Sequence, residues 1–232
     1  MSDQELEDLL RGFDDCLQAE DTAGASARLL QLRAALGDDH PEALYTEARL
    51  SVFEEDWGRA RELLERVLDQ EPDHADAHYE LACVAEAQDD RRTMTEHFLR
   101  VHELDGELDE ELGLGGEDEL QHIEDVAREV LDGLPDMFSK RLAHVPVLIE
   151  PRPARVLVED GFDPRAFGLF DGPTDGVRDE PSPTRIVLYS ANLLADFPEE
   201  PELSEQIEVT VLHEVGHFFG LDEEQLERLG LD

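Results

Sequence analysis

The sequence predicts an α+β protein in which a helical repeat region precedes a smaller domain of mixed helices and strands. Residues 3–108 show helical periodicity throughout and repeat with a period of 34 residues. Beyond residue 119, short β-branched runs alternate with apolar helical patterns, which is typical of a domain with a small sheet. We place the domains at residues 1–108 and 119–232, joined by an acidic, glycine-rich linker at residues 109–118.

The repeat is clearest when residues 41–74 are compared with residues 75–108. At an offset of 34 residues, alanines and tyrosines coincide and larger apolar residues match each other. The matched pairs are Ala43 with Ala77, Tyr45 with Tyr79, Ala48 with Ala82, Leu64 with Phe98, and Val67 with Val101. The pattern resembles tetratricopeptide repeats, with a degenerate third copy over residues 7–40. This resemblance implies stacked helical hairpins whose groove binds a protein partner, unless the stack only packs against the second domain.

The second domain begins with an apolar helical pattern over residues 120–134. We predict strands at residues 145–150, 155–159, 167–170 and 184–190. The glycine-, proline- and aspartate-rich residues 160–183 predict exposed loops around the third of these strands. A helical turn at 193–197 is followed by a long helix capped by Ser204, and by a short helix at 225–229. Regularly spaced apolar residues predict that the long helix is buried against the sheet.

The strongest chemical signal lies in this long helix, where His213 and His217 are four positions apart. On a helix this spacing places both imidazoles on one face, where their nitrogens can share one tetrahedral zinc ion. Glu214 follows the first histidine and stands where a general base can take a proton from metal-bound water. The competing interpretation is a buried amphipathic helix whose histidines are hydrogen-bonded core residues.

A third ligand is expected just beyond the end of the helix. Gly220 is the residue type that commonly ends a helix in a left-handed conformation, which would turn the chain back toward the histidines. Glu223 could then supply an oxygen ligand, and Asp222 is the alternative. A fourth position left to water would make the site catalytic rather than structural.

The stretch from residue 213 to residue 223 resembles a small family of bacterial zincin-like metallopeptidases. Members of that family end in a His-Glu-x-x-His-x-x-Gly helix followed by an acidic residue. The resemblance extends upstream to about residue 119 through Leu134-Pro135 and residues 145–150, 166–172 and 186–189. It implies zinc on the two histidines, Glu214 as base, and Glu223 as third ligand, where the family more often has Asp. It also implies a small zincin-like α+β domain that hydrolyses a peptide or protein substrate.

Two other functions fit the same residues. In one, the protein is a non-enzymatic adaptor whose repeats bind a protein and whose zincin-like domain is a metal-stabilised module. The absence of methionine after Met137 favours the adaptor, because the larger metzincin proteases carry a methionine turn beyond the metal helix. The presence of Glu214 opposes it, because a structural zinc ion does not require a base. In the other, the enzyme hydrolyses an amide that is not part of a protein.

For the peptidase, we expect the substrate to add as a strand along a sheet edge. The candidate edges are residues 186–189 and residues 167–170. Tyr189 is a candidate donor to the developing oxyanion, and the alternative is that it only packs within its strand.

The charge of the chain restricts its partners. The 60 acidic and 19 basic residues give a formal net charge of −41. Such a surface repels phosphate, so we predict that neither nucleic acid nor an anionic membrane is a partner. The N-terminus lacks a signal-peptide pattern, no stretch approaches membrane-spanning length, and Cys16 and Cys83 lie in helical patterns. We therefore expect reduced cysteines, a cytoplasmic location, and zinc as the cofactor.

Overall fold

The computed structural model describes residues 2–173 and 184–231 of the 232-residue chain. It confirms the α+β class, with helices throughout the first half of the chain and a small sheet in the second half. The chain forms two compact units. Unit 1 comprises Met1–Asp105 and Val156–Gly161, and unit 2 comprises Gly106–Arg155 and Phe162–Asp232.

The first half of the chain contains helical hairpins. The helices are α1 (Asp3–Gln18), α2 (Thr22–Leu36), α3 (Pro41–Phe53), α4 (Trp57–Gln70), α5 (Ala75–Ala87) and α6 (Arg91–Leu112). The helices α3 and α5 begin 34 residues apart, as do α4 and α6, so the period of the sequence is the period of the hairpins. Fully buried alanines, including Ala48, Ala60 and Ala77, let neighbouring helices approach closely.

The hairpins share one turn chemistry. Glu20, Glu55 and Asp89 each have a positive φ, between 54° and 58°, and each is followed by an aspartate. The side chains of these aspartates accept backbone hydrogen bonds three residues further on, and so cap α2, α4 and α6. The N-terminal copy, which the sequence marks as degenerate, therefore turns in the same way as the other two.

A short helix from later in the chain completes unit 1. Residues 155–159 form helix α9 (Arg155–Glu159), so the strand predicted there is wrong. Val158 is fully buried in a cluster that includes Ala85, Met94 and Phe98. Arg91 donates a hydrogen bond of 2.6 Å to the carbonyl of Asp160. These long-range contacts override the preference of a β-branched run for a strand.

A histidine pair joins α5 and α6 in unit 1. The Nδ1 atoms of His78 and His97 lie 2.8 Å apart, and Nε2 of His78 lies 2.9 Å from the carbonyl oxygen of Pro72. Because a carbonyl only accepts, His78 carries its proton on Nε2 and its Nδ1 accepts from His97. Burial lowers the pKa of both histidines below 6.5, and the neighbouring His78 lowers that of His97 further.

We expect this pair to make the protein less stable in acid. The unfolded chain binds protons below about pH 6.5 that the folded pair does not, so the stabilisation is complete above that pH. It is lost as the pH falls through the lowered pKa values of the folded state. His97→Asn keeps an N–H donor and removes one titration. In urea unfolding between about pH 7.5 and pH 5.5, the variant should therefore lose less free energy of unfolding than the wild type. Equal losses would contradict this assignment.

Unit 2 contains the sheet. Its helices are α7 (Glu117–Gly133), α8 (Asp136–Leu142), α10 (Ser190–Asp196), α11 (Glu200–Phe218) and α12 (Glu223–Glu227). Its strands are β1 (Val147–Glu150), β2 (Gly168–Asp171) and β3 (Arg185–Tyr189). In the described residues β3 lies between the other two, parallel to β1 and antiparallel to β2. Of the loops predicted at 160–183, residues 174–183 lie outside the described residues.

The stretch predicted to be a linker, residues 109–118, is partly helical. It includes the end of α6 and the beginning of α7, so residues 113–116 alone lie outside a helix. Asp109, within α6, pairs with Arg152 through both carboxylate oxygens, and the side chains of both residues are largely buried. This ion pair gives an acidic helical turn a partner that the local sequence does not reveal.

Helix α11 is the central element of unit 2. Its apolar residues Ile207 and Val211 are fully buried and pack in one cluster with Ile186 and Leu188 of β3, as the sequence predicts. The helix begins five residues earlier than predicted, because Glu199 rather than Ser204 is its N-cap and a proline lies in its first turn. Ser204 is therefore not a cap, and its hydroxyl donates to the carbonyl of Glu200 within the helix.

A helix that crosses a membrane must be both long and strongly apolar. Within residues 2–173 and 184–231, no helix combines the length and the hydropathy needed to cross a bilayer.

Candidate metal centre

The predicted chain reversal occurs at Gly220. This residue has a φ of 82°, and its N–H donates to the carbonyl of His217 at 2.9 Å. The N–H of Leu221 donates to the carbonyl of Gly216 at 3.0 Å, which completes a Schellman motif at the end of α11. A side chain is disfavoured at such a φ, so glycine permits the chain to return and begin α12 beside α11.

Close packing of α12 depends on a second glycine. A Cβ atom at Gly216 would lie 2.4 Å from a methyl carbon of Leu226, which is fully buried in α12. The missing side chain thus allows α12 to approach α11. This contact places Glu223, the first residue of α12, over the histidine face.

His213, His217 and Glu223 converge at one point. The two Nε2 atoms lie 2.9 Å apart, and the carboxylate oxygens of Glu223 lie 3.2 Å from His217 Nε2 and 3.6 Å from His213 Nε2. One potential ligand atom from each residue lies within 4.8 Å of the others. Within the described ranges, these three residues form the single group of His, Cys, Asp or Glu side chains with this property.

Asp222, the alternative third ligand, has a different role. Its side chain accepts from the N–H of Gln225 at 3.0 Å, and the side chain of Gln225 accepts from the N–H of Asp222 at 3.0 Å. Asp222 is thereby the N-cap of α12 in a reciprocal capping box. Of the two acids that the sequence leaves open, the structure brings Glu223 to the histidines.

Backbone carbonyls fix the protonation of both imidazoles. Nδ1 of His213 lies 2.5 Å from the carbonyl oxygen of Leu231, and Nδ1 of His217 lies 3.2 Å from that of Leu221. Since a carbonyl oxygen can only accept, each Nδ1 carries the proton and each Nε2 presents a lone pair to the centre. The contribution of Leu231, 18 residues beyond His213, has no signature in the sequence.

This donor set fits a zinc ion. Two lone pairs and a carboxylate directed at one point repel each other unless a proton or a metal cation lies between them. Two nitrogen ligands of a tetrahedral zinc ion are about 3.3 Å apart, given Zn–N bonds of about 2.0–2.1 Å. The observed separation of 2.9 Å is close to that value. Two imidazoles and one carboxylate also leave one tetrahedral position for water or substrate.

Glu214 is buried beside this centre, with 5% of its surface exposed. Its carboxylate accepts a hydrogen bond from the backbone N–H of Phe170 in β2. Burial raises the pKa of Glu214 to about 7, although the nearby His213 and the Phe170 N–H both oppose this rise. A carboxyl group with a pKa near 7 can both accept and return a proton near neutral pH.

Strand β2 borders a cavity of about 560 Å³ at the histidines. Residues that line it include Phe162, Gly168, Phe170, His213, Glu214, His217 and Glu223. The N–H of Tyr189 donates to the carbonyl of Phe167, so by alternation the backbone groups of Gly168 and Phe170 point away from β3. Of the two predicted edges, residues 186–189 belong to β3, which is paired on both sides with β1 and β2 and has no free edge. Residues 168–171 of β2 therefore remain as the edge for a substrate.

Tyr189 does not reach this cavity. Its side chain is fully buried, its ring packs on Phe162, and its hydroxyl has no hydrogen-bond partner within the described residues. Burial raises the pKa of Tyr189 to about 12, and the carboxylates of Glu150 and Glu214 add to the effect. The structure therefore agrees with packing rather than with an oxyanion donor.

We expect Tyr189→Phe to be tolerated or stabilising. The substitution removes a buried hydroxyl without creating a cavity, and an unsatisfied buried polar group costs about 1–3 kcal/mol. The free energy of unfolding in urea should rise by about 1 kcal/mol. Any peptide cleavage should proceed at the wild-type rate. A loss of 100-fold or more in kcat without loss of stability would instead assign the hydroxyl to the reaction.

The comparison with known protein families agrees with this geometry. The model of the family described as zincin-like metallopeptidase matches residues 142–231. This part of the chain is similar to the zincin-like metallopeptidases. We call it the zincin-like region. It contains the sheet, α11 and α12, and so all the residues of the candidate metal centre. The hairpins α1 to α6 lie outside the match. The search of curated proteins gave no match.

Proposed function

We propose that the protein is a zinc-dependent metallopeptidase whose helical hairpins recruit a protein. The observation that carries the proposal is the buried Glu214 beside a set of three converging donor groups. Zinc at such a set acts as a Lewis acid that lowers the pKa of water and polarises a carbonyl. A site that only stabilises the fold does not need a buried carboxyl group next to its ligands.

In peptide hydrolysis, the residues of the zincin-like region would have the following roles. His213, His217 and Glu223 hold the ion, and the carbonyls of Leu221 and Leu231 keep the imidazoles in the binding tautomer. Glu214 takes a proton from the attacking water and then donates it to the leaving amine.

The substrate would lie as an additional strand beside β2. The backbone N–H and carbonyl of Gly168 and the carbonyl of Phe170 point away from β3 and are available to an extended peptide. The carboxylate of Glu214 accepts a hydrogen bond from the N–H of Phe170 and so lies beside the path of the added strand. Backbone pairing would orient the peptide without restricting its sequence.

The hairpins of unit 1 support the second part of the proposal. Stacked helical hairpins with a repeated turn commonly present a groove that binds a protein or an extended peptide. This argument rests on the fold alone. The competing function is the adaptor, in which the hairpins bind a partner and the zincin-like region holds zinc without turnover.

Metal analysis followed by a peptide-library digest tests the proposal. Purified protein should contain about one zinc ion per chain, as a mononuclear site requires, and should cut peptides in the library. Treatment with a chelator should stop the cleavage, and added zinc should restore it. If the protein binds one zinc ion and cuts neither peptides nor unfolded proteins, the peptidase proposal fails and the adaptor is favoured.

A further inference from the structure

Asn192 is a buried residue of α10 whose side chain holds the segment that leads into β2. Its amide nitrogen donates to the carbonyl of Pro164 at 3.0 Å and to the carbonyl of Ala166 at 2.6 Å. We propose that Asn192 is a positioning residue, which fixes the start of the β2 edge for the substrate strand. The inference rests on the proposed function, because it names a residue that prepares the same site for an extended peptide.

The orientation of this amide is fixed by its partners. A guanidinium only donates, and a nitrogen of Arg152 donates to the amide oxygen of Asn192. A backbone carbonyl only accepts, so the amide nitrogen must face Pro164 and Ala166. The oxygen and the nitrogen of the amide are therefore both engaged. Aspartate has the same shape but cannot donate, so it could not hold the two carbonyls.

Arg152 anchors the amide in turn. Its Nε and a second guanidinium nitrogen donate to the two carboxylate oxygens of Asp109, and its third nitrogen donates to Asn192. A guanidinium is planar and its paired bonds to a carboxylate define its direction, so the third nitrogen is held toward the amide. The contacts from Asp109 to Ala166 all lie within unit 2. The side chains are largely buried, and hydrogen bonds are stronger there than in water.

The held segment borders the candidate site directly. Ala166 lines the cavity at the histidines, and the carbonyl of Phe167 accepts from the N–H of Tyr189 at 2.9 Å. Gly168 follows, and its backbone groups are those offered to the substrate strand. Glycine loses more conformational freedom than any other residue when it is fixed. Bonds to the carbonyls of Ala166 and Phe167 restrict the chain just before it, so the edge is preformed and binding costs less ordering.

The network can act on the reaction through β2. Neither Asn192 nor Arg152 belongs to the described lining of the cavity at the histidines or to the converging donor set. Backbone bonds to a substrate strand are made in the ground state and in the transition state alike, so their loss raises KM and leaves kcat nearly unchanged. If the untethered edge has the binding geometry about a tenth of the time, KM rises about 10-fold.

Asn192→Asp in the whole chain tests the inference. The carboxylate still accepts from Arg152 but cannot donate to the carbonyls of Pro164 and Ala166. On a peptide that the wild type cuts, KM should rise about 10-fold while kcat stays within about threefold. Zinc content should remain about one ion per chain, because the donor set is unchanged.

Ser190→Ala is the matched control. Ser190 is also a buried residue of α10, and its hydroxyl donates to the carbonyl of Glu150 in β1 at 3.3 Å. Both substitutions remove a bond from α10 to the backbone, so both should lower the urea concentration at the midpoint of unfolding. Only Asn192→Asp should raise KM, because β1 lies on the other side of β3 from the substrate edge.

Asp109→Asn provides a second, milder variant. It keeps the shape of the anchor and removes the charge from its bonds to Arg152, which should weaken the hold on Asn192. KM should rise by about threefold, and this variant decides the question if Asn192→Asp does not fold. Equal KM values for the wild type and for both folded variants would overturn the inference.

Amide hydrogen exchange separates this inference from the peptidase proposal. The N–H of Tyr189 should exchange about 10-fold faster in Asn192→Asp, because the carbonyl of Phe167 is less firmly held. The N–H of Ile186, which donates to Pro146 at 3.0 Å, should exchange at the wild-type rate. Unchanged exchange at Tyr189 in folded Asn192→Asp overturns the inference even if the wild type cuts peptides. A wild type that cuts nothing defeats the peptidase, and the exchange rates then decide whether Asn192 holds the edge.

Discussion

Glu214→Gln should abolish peptide turnover while zinc remains bound. Glutamine keeps the size of the side chain and an oxygen for the N–H of Phe170, but it cannot take a proton from water. General-base catalysis contributes about 10²–10⁴-fold, so kcat should fall by about 1,000-fold on any peptide that the wild type cuts. Assays of both proteins with equal zinc content measure this difference.

Two checks make that comparison decisive. The first is metal analysis, because Glu214 does not belong to the converging donor set, so the variant should retain about one zinc ion. The second is Glu214→Asp, which keeps a carboxylate at a shorter reach and should recover part of the lost turnover. Activity of Glu214→Gln within 10-fold of the wild type would exclude Glu214 as the base.

His217→Ala should remove stoichiometric zinc. The substitution leaves one imidazole and the exposed carboxylate of Glu223, which is too few ligands for a closed chelate. Loss of an outer partner of a metal ligand already costs about 10–100-fold in affinity, so loss of the ligand itself should cost more than 100-fold. Competition with a chromophoric chelator gives the zinc affinity of both proteins.

His144→Ala is the matched control for that experiment. His144 is an exposed histidine in unit 2, and it lies outside the donor set. Zinc affinity should be unchanged in this variant. If His217→Ala kept the zinc affinity of the wild type, the ion would be bound elsewhere and the proposed centre would be wrong.

Local rules explain why the sequence predicts much of the metal centre. The spacing of His213 and His217 is sufficient to predict that their imidazoles lie side by side, because helical geometry places residues four apart on one face. Gly220 predicts the reversal of the chain, because a left-handed residue has few alternatives to glycine. The sequence analysis left Asp222 open as the alternative to Glu223, although Asp222 and Gln225 have the spacing of a capping box, in which Asp222 is the N-cap.

The remainder of the site depends on contacts that leave no pattern in the sequence. The carbonyl of Leu231 and the N–H of Phe170 act through the backbone, which is chemically the same at almost every residue. In the sequence, Gly168 cannot be distinguished from an ordinary loop glycine. Its role is seen only in the structure, where the carboxylate of Glu214 lies against it. A strand was predicted at helix α9 because a run of five residues with two valines does not reveal the distant surface that buries Val158.

The burial of Val158 in unit 1 has a consequence for synthesis of the protein. Unit 1 receives its last segment, Val156–Gly161, only after Gly106–Arg155 of unit 2 have been translated. The apolar side chains of Met94 and Phe98 therefore leave the ribosome well before Val158 can cover them. A nascent chain that pauses between these two points would present that surface to chaperones, and the hairpins could not be released as a finished domain by one cleavage after α6.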